Sequence, residues 1–294
     1  MELRDLEYLV TIAREGSISA AAESLHMSQP NLSRQISALE RELGATLLVR
    51  GNRRTELTEE GRVLLSRAHQ ILELAELARA EVEVAEESVR GTVRIGGGET
   101  EGMRPIMRAA ASLRRKHPDV NFSVHSGNAQ DVTDLLDRGL LDFGVLIEPA
   151  DKSKYDFISL PTTIRWGLMV RGDHPLASKS GISPEDLVGV PLIISLQRMA
   201  WNGLSGWMGP RSSKVDVVAT YNLLYNASLM VSEGIGCALC LEGIVNTEGT
   251  DLRFVPLNPP LEVGMVLVWR RGWLPSRQAK AFLGEIRGHS SKTQ

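Results

Sequence analysis

The chain has 294 residues, of which 43% are hydrophobic and 23% are charged, and its formal net charge at pH 7 is −3. This length suffices for two or three hydrophobic cores, while the two cysteines are too few for a disulfide framework. We expect a cytoplasmic protein, because acidic residues stand where a signal peptide would be cationic and no stretch is apolar enough to span a membrane.

The beginning of the chain predicts three helices in quick succession. Apolar residues at positions 3, 6, 9, 10 and 13 indicate an amphipathic helix, and residues 17–25 indicate a short alanine-rich one. A turn at His26 and Met27 leads to the third helix, for which Ser28 is a suitable N-cap and Gly44 a suitable C-terminal stop. A helix, a tight turn and a second helix form the helix-turn-helix arrangement, whose second helix enters the major groove of DNA.

This third helix has one apolar and one polar face. Leu32, Ile36, Leu39 and Leu43 share a stripe, whereas the opposite face carries amides, hydroxyls and arginines, with no acid before Glu40. Such groups can read base edges and hold phosphates, although a polar helix face can also be merely solvated. The candidate DNA-binding residues of this helix are Ser28, Gln29, Pro30, Asn31, Ser33, Arg34 and Ser37.

Two short strands, residues 46–50 and 55–57, are predicted around a Gly-Asn turn after this helix. Arg50, Arg53 and Arg54 surround the turn and could contact the DNA backbone or the minor groove, with a solvated loop as the alternative. Basic charge is therefore concentrated around this turn, although the net charge of the whole chain is negative. Because the local excess is modest, we expect firm binding to need at least two copies of the chain on one DNA.

Four segments carry a family pattern: Ser17-Ile-Ser-Ala-Ala-Ala-Glu-Ser-Leu25, Ser28-Gln-Pro-Asn-Leu-Ser-Arg-Gln-Ile36, Leu39-Glu-Arg-Glu-Leu-Gly44 and Leu57-Thr-Glu-Glu-Gly61. With these segments the chain resembles the LysR-type transcriptional regulators, almost without interruption over residues 1–65. The resemblance implies that residues 1–57 form a winged helix-turn-helix domain, with the arginine-rich turn as its wing. It also implies a regulator of double-stranded DNA that responds to a small-molecule effector, with homodimers assembling into a homotetramer on a two-fold operator.

Residues 58–90 predict a long helix, with Thr58 as its cap and Glu59 and Glu60 in its first turn. Its apolar residues recur in steps of four and three, which is the heptad pattern of a coiled coil. The helix is too acidic to lie on DNA, and with its heptad pattern we expect it to pair two copies of the chain; a linker packed only on its own chain is the alternative. The candidate dimer-interface residues are Leu64, Ala68, Ile71, Ala75, Ala78 and Val82.

Strands and helices alternate after Gly91, which predicts an α/β region with largely parallel sheets. The strand candidates are residues 92–95, 121–125, 142–147, 165–170, 192–194, 215–220, 236–241, 252–257 and 263–270. The helix candidates are residues 103–117, 130–138, 222–233 and 276–287.

So many short elements in residues 91–294 suggest two small lobes with a cleft between them. The resemblance agrees, since the family's effector domain is similar to periplasmic binding proteins, in which the chain crosses between the lobes twice. We expect the crossings at residues 161–163 and 267–269. Lobe I would then comprise residues 91–161 and 268–294, and lobe II residues 162–267.

The turn after the first of these strands is a candidate effector site. Gly96-Gly-Gly-Glu-Thr-Glu-Gly102 fits neither a dinucleotide-binding nor a Walker pattern, so we expect no nucleotide cofactor. The resemblance implies that Thr100 binds the effector. Glu99 and Glu101 depart from the family's uncharged neighbours; if either side chain points into the cleft, it would suit an effector with a cationic or hydroxyl group rather than a carboxylate. The other candidates, for each of which an ordinary loop residue is the alternative, are Ser126, Asn128, Ser195, Gln197 and Trp201.

Cys237 and Cys240 form a CxxC pair, but a buried strand is the better interpretation, because no second pair and no nearby histidine completes a metal site. No nucleophile motif such as GxSxG supports catalysis. We therefore predict a ligand-responsive transcriptional regulator without cofactor or metal. Two alternatives stay open: an enzyme that uses the cleft, and a solute-binding protein fused to a helical dimeriser.

Overall fold

The computed structural model describes residues 1–50, 54–82, 89–196 and 198–290. The chain forms two compact units, Met1–Glu86 and Glu87–Gln294. In the ranges described, no helix combines the length and the apolar character that crossing a bilayer requires.

The first unit packs three helices around one small core. Leu9, Ile12, Leu32 and Ile36 are buried there, and Ala21 lets the second helix approach closely. Its helices and strands are α1 (Leu3–Glu15), α2 (Ile18–Ser24), α3 (Gln29–Leu43), β1 (Leu48–Arg50), β2 (Thr55–Leu57) and α4 (Glu59–Val82).

Local sequence explains where these helices begin and end. Gly16 and Gly44 adopt the left-handed conformation, with φ of 70° and 65°, and so end α1 and α3. The Ser17 hydroxyl accepts a hydrogen bond from the Ala20 amide at 3.1 Å and thereby caps α2. Ser28 occupies the N-cap position of α3, but its side chain makes no such bond.

We expect Ser17→Ala to destabilise the first unit by about 1 kcal/mol, because the mutation removes a cap from a short helix. This loss corresponds to roughly 5 °C in the melting temperature of a domain of this size. Ser28→Ala is the matched control and should leave the melting temperature unchanged, since no cap bond is lost. Calorimetry of the two full-length variants measures both. Equal destabilisation would contradict the assignment of the caps.

The first half of α4 packs on the chain's own first unit. Ala68 is fully buried and Leu64 contacts the small core, since α1 lies against α4. Ala68, which we predicted at the dimer interface, is thus not available to a second copy, whereas Leu64 is half-buried and stays a prediction. Ile71 and Leu74 are 36% and 39% exposed. Of the remaining candidates, Ala75 is half-buried, Ala78 is exposed, and the side chain of Val82 lies outside the described residues.

The second unit is an α/β domain with strands in the middle and helices outside. The order of its hydrogen-bonded strands is β4-β3-β5-β11-β6-β9-β7-β8, and β10 pairs with β6. The elements are β3 (Gly91–Gly97), α5 (Arg104–Lys116), β4 (Val120–Ser126), α6 (Ala129–Asp137), β5 (Phe143–Ile147), β6 (Tyr155–Arg171), β7 (Pro191–Ser195), α7 (Arg198–Met208), β8 (Asp216–Tyr221), α8 (Leu224–Ser232), β9 (Cys237–Leu241), β10 (Leu252–Pro256), β11 (Glu262–Arg270) and α9 (Arg277–Ser290).

The expectation of largely parallel sheets is correct only at the two ends of this strand order. β3 is parallel to β4 and β5, and β7 is parallel to β8 and β9. In the middle, β11 is antiparallel to β5 and β6, and β6 is antiparallel to β9 and β10. The reason is that β6 and β11 carry the chain in opposite directions between the two lobes.

The strand pairing fixes both crossings. β6 pairs with β11 up to Arg165 and with β9 from Trp166. The first crossing therefore lies within β6, a few residues after the predicted residues 161–163. The predicted second crossing at residues 267–269 is wrong, because Leu267 pairs with Val145 and Ile158 inside lobe I. The chain has already returned by Glu262, so the boundary of lobe II at residue 267 is also wrong.

Candidate functional site

α3 presents its polar face to solvent. The Arg34 Nε donates a hydrogen bond to the Pro30 carbonyl at 3.4 Å, and the Arg41 Nε donates to the Ser37 carbonyl at 3.2 Å. Both guanidinium groups therefore lie along the outside of the helix, opposite its buried leucines. Of the other candidates, Ser28, Gln29 and Pro30 are exposed, and Asn31, Ser33 and Ser37 are half-buried. Gln35, which we did not select, is exposed as well and adds an amide to this surface.

The two strands after α3 form the predicted hairpin. β1 and β2 pair antiparallel, with Arg50 opposite Thr55. The hairpin is fastened at both ends: the Thr55 amide donates to the Gly16 carbonyl at 2.9 Å, and the Glu40 carboxylate accepts from the Leu47 amide at 2.8 Å. Arg54 is exposed, while Arg53 and the side chain of Arg50 lie outside the described residues.

A cavity of about 330 Å³ opens in the cleft of the second unit. It lies at the carboxyl ends of β3, β4 and β9, where open α/β sheets bind their ligands. Its volume is at the small end of the roughly 300–1,000 Å³ common for ligand sites. The lining residues are Gly97, Gly98, Glu99, Thr100, Glu101, Met103, Met107, Val124, Ser126, Gly243 and Ile244.

Three of the predicted effector residues, Thr100, Glu101 and Ser126, are brought together in this lining. Asn128 is not part of it: its side-chain oxygen caps α6 by accepting from the Gln130 amide at 2.8 Å. Ser195 ends β7, half-buried, outside the lining. Gln197 and the side chain of Trp201 lie outside the described residues, but the segment from Arg198 onward is a helix rather than the loop we expected.

The lining residues that we missed come from lobe II or from side chains without a polar group. Gly243 and Ile244 follow the carboxyl end of β9, and that position was the one available signal for them. Gly243 has φ of 77°, and a Cβ at this position would stand 3.2 Å from the Glu101 Cγ. Glycine at this position therefore allows the Glu101 side chain of lobe I to lie directly against lobe II.

The two cysteines lie on β9 with their side chains on opposite faces of the sheet. Cys237 belongs to the large core and Cys240 to the core beneath α8. The His174 Nε2, which we did not foresee, lies 3.7 Å from the Cys237 Sγ. Since the His174 Nδ1 accepts from the Leu176 amide, Nε2 carries the proton in a neutral ring and donates toward the sulfur. In the part of the chain described, no group of three or more possible metal ligands forms.

Both thiols should be unreactive in the folded protein, because burial raises the pKa of Cys237 to about 11 and that of Cys240 to about 12. At pH 8 we expect iodoacetamide to alkylate them at least about 100-fold more slowly in the folded protein than in urea. The reason is that each unit by which the pKa rises lowers the fraction of reactive thiolate tenfold. A folded pKa above the unfolded one also means that stability falls as the pH rises from about 9 through these values. Rapid alkylation of the folded chain would contradict this prediction.

Comparison with known proteins agrees with these two units. The family description "Bacterial regulatory helix-turn-helix protein, lysR family" matches residues 3–62, and "LysR substrate binding domain" matches residues 86–291. The chain is 29% identical over 283 residues to the Hca operon transcriptional activator HcaR of Escherichia coli, covering 92% of this chain and 93% of that one. It is 32% identical over 249 residues to the regulator AlsR of Bacillus subtilis, covering 80% and 79%.

The fold has solved counterparts as well. The crystal structure of full-length CbnR in complex with its target DNA matches with a TM-score of 0.76 at 20% identity, covering 98% of this chain and 99% of that one. Both family descriptions name the LysR regulators, and the two relatives above are transcriptional regulators rather than enzymes. The predicted fold class, a winged helix-turn-helix followed by an α/β effector domain, is thereby confirmed. The chain belongs to the LysR family of DNA-binding transcriptional regulators.

Proposed function

We propose that this regulator binds a two-fold operator in double-stranded DNA through α3 and the β1–β2 hairpin. The observation that carries the proposal is the outer face of α3, which is polar and carries two arginines on its exterior, while its inner face is buried. Recognition helices of this kind place their N-terminal residues on base edges. The residues proposed to contact DNA are Ser28, Gln29, Pro30, Asn31, Ser33, Arg34, Ser37, Arg50, Arg53 and Arg54.

We further infer that two chains pair through the exposed part of α4. Ile71 and Leu74 are apolar side chains one turn apart that remain exposed on α4, and neighbouring exposed apolar residues can mark an interaction surface. Pairing places two copies of α3 on one operator, which compensates for the modest positive charge of a single copy. Two such dimers would form the homotetramer. Since its target is bacterial DNA, the protein would act in the cytoplasm.

A small molecule in the cleft would act by shifting the population of two arrangements of the assembly. Such a shift requires the ligand to bind one arrangement better than the other. The cavity between the lobes supports this proposal, because a change in their separation would alter its lining, which comes from both lobes.

The two free cysteines, both buried, are not placed to form a disulfide-based switch. Cys240 follows Cys237 by three positions, an odd number, which places their side chains on opposite faces of β9. Two buried thiols on opposite faces cannot form an intrachain disulfide without rearrangement of the strand.

Selection of DNA by the full-length protein tests the proposal. We expect random duplexes to enrich for paired half-sites whose centres are about 10 base pairs, or a multiple of that, apart. Affinity for the enriched duplex should fall steeply with salt, because neutralised phosphates release counterions. A solute-binding protein with an inert helical dimeriser would show no enrichment and no salt-dependent binding.

A further inference from the structure

We propose that the cleft binds a small cationic effector, an amine or a guanidinium compound with a compact apolar body. This inference rests on the proposed effector response and specifies the chemical class of the ligand. It depends on four features of the cleft: the charges in its lining, the pairing of the arginines nearby, the saturation of helix ends and the apolar part of the wall.

The lining is negatively charged. Glu99 and Glu101 contribute two carboxylates, and the lining residues that the structure describes include no lysine, arginine or histidine. Glu99 is exposed and has no ion-pair or hydrogen-bond partner among the described residues. A ligand carboxylate would meet repulsion in this cavity, whereas a ligand cation would find at least one unpaired carboxylate.

Two arginines whose glutamate partners lie in or next to the cavity lining are paired and not free to attract an anion. The Arg104 Nη2 lies 2.5 Å from the Glu101 Oε2. Arg165, at the first crossing, donates from Nε and Nη2 to the two carboxylate oxygens of Glu242, each at 2.8 Å. An anionic ligand would have to displace one of these carboxylates, while a cation could reach Glu99 directly and compete with Arg104 for Glu101.

The helix ends beside the cleft are likewise satisfied by the chain itself. Backbone amides at a helix N-terminus are a common anion site. Here the Thr100 hydroxyl accepts from the Gly102 amide at 3.0 Å. At the start of α6, the Asn128 side chain accepts from the Gln130 and Asp131 amides at 2.8 and 3.1 Å. These three amides already have acceptors within the chain and are not available to a ligand carboxylate or phosphate.

The rest of the wall suits an apolar body. Met103, Met107, Val124 and Ile244 line the cavity, and Met107 and Val124 keep 39% and 47% of their surface exposed. Methionine side chains adapt to ligands of different outline. The small volume limits the ligand to a compact molecule, and the carboxylates lie on the turn that leads into α5. The cavity therefore accommodates an amphipathic cation with its charge toward Glu99.

Three ligands with the same ring and different charge test this inference on the full-length protein. Titration calorimetry with phenethylamine, 2-phenylethanol and phenylacetate should give the lowest Kd for the amine and the highest for the carboxylate. Glu99→Gln should raise the Kd of the amine about fivefold, the effect of one screened ion pair, and leave the Kd of the alcohol unchanged. Asp119→Asn, the same charge change at the opposite end of β4, is the control and should leave all three affinities unchanged.

The outcomes distinguish a failure of the cationic ligand class from a failure of the proposed DNA-binding function. A carboxylate that binds as tightly as the amine, or an amine that does not bind at millimolar concentration, overturns the cationic class. Equal loss of amine affinity in Glu99→Gln and Asp119→Asn overturns the role of Glu99. Operator affinity is measured on the same samples without ligand; if it persists while the amine fails, the ligand class is wrong and the regulator is not.

Discussion

Arg34→Ala is expected to weaken operator binding about 100-fold. Arg34 lies on the outer face of α3 in its N-terminal half, where a recognition helix meets the bases. A base contact by arginine contributes about 1–3 kcal/mol, so the loss is roughly tenfold for each copy and acts twice in a dimer. The side chain is exposed and its one described hydrogen bond is to the Pro30 carbonyl, so the fold should be unaffected.

Arg41→Ala is the matched control for this prediction. Arg41 follows Arg34 by seven residues, so it lies on nearly the same face two turns further along, and its Nε makes the equivalent hydrogen bond to the Ser37 carbonyl. We expect Arg41→Ala to lower operator affinity less than tenfold, because this side chain would contact only the DNA backbone. Fluorescence anisotropy of a labelled operator at two salt concentrations measures both variants. Equal losses would show that α3 contributes general charge and does not read sequence.

The helix-turn-helix could be predicted because its signals are local. Ser17, Gly16 and Gly44 fix helix ends by their own conformations and hydrogen bonds, which depend on a few neighbouring residues only. The apolar stripe of α3 was correct except for its last member, since Leu43 is 42% exposed. A periodicity defines a face, but it does not tell where the core that covers this face ends.

The heptad pattern of α4 shows the same limit more strongly. Apolar residues spaced four and three apart predict that one side of the helix is buried. They do not tell whether it is buried against a second chain or against the same chain. At Leu64 and Ala68 the cover is the chain's own first unit. Only the tertiary structure separates these positions from Ile71.

The cleft was predictable in part. The family resemblance indicated Thr100, which lies in the turn after β3, and the place of Ser126 at the carboxyl end of β4 indicated that residue. Gly243 became part of the same cavity only through the crossing of the chain between lobes. That crossing was itself misplaced at one end, because the apolar residues around Leu267 would fit a buried strand in either lobe.

Ile71→Glu combined with Leu74→Glu is expected to split the assembly and to lower operator affinity at least 100-fold. These two apolar residues, one turn apart on the exposed side of α4, would bring four added glutamates together at a dimer interface, where unpaired charges cannot be buried. Light scattering should show the mass of the tetramer falling by half if the effector domains still pair. DNA affinity falls because linked recognition helices gain about 10²–10⁴ in avidity that separate ones lack.

Ser66→Glu combined with His69→Glu is the control, since it adds the same charges with the same spacing on the opposite, exposed side of α4. Both the mass and the operator affinity of this variant should equal those of the parent protein. If it splits the assembly as well, acidity of the helix rather than loss of an interface explains the effect. If neither variant changes the mass, α4 does not pair the chains, and the spacing of the two copies of α3 must be set by the effector domains alone.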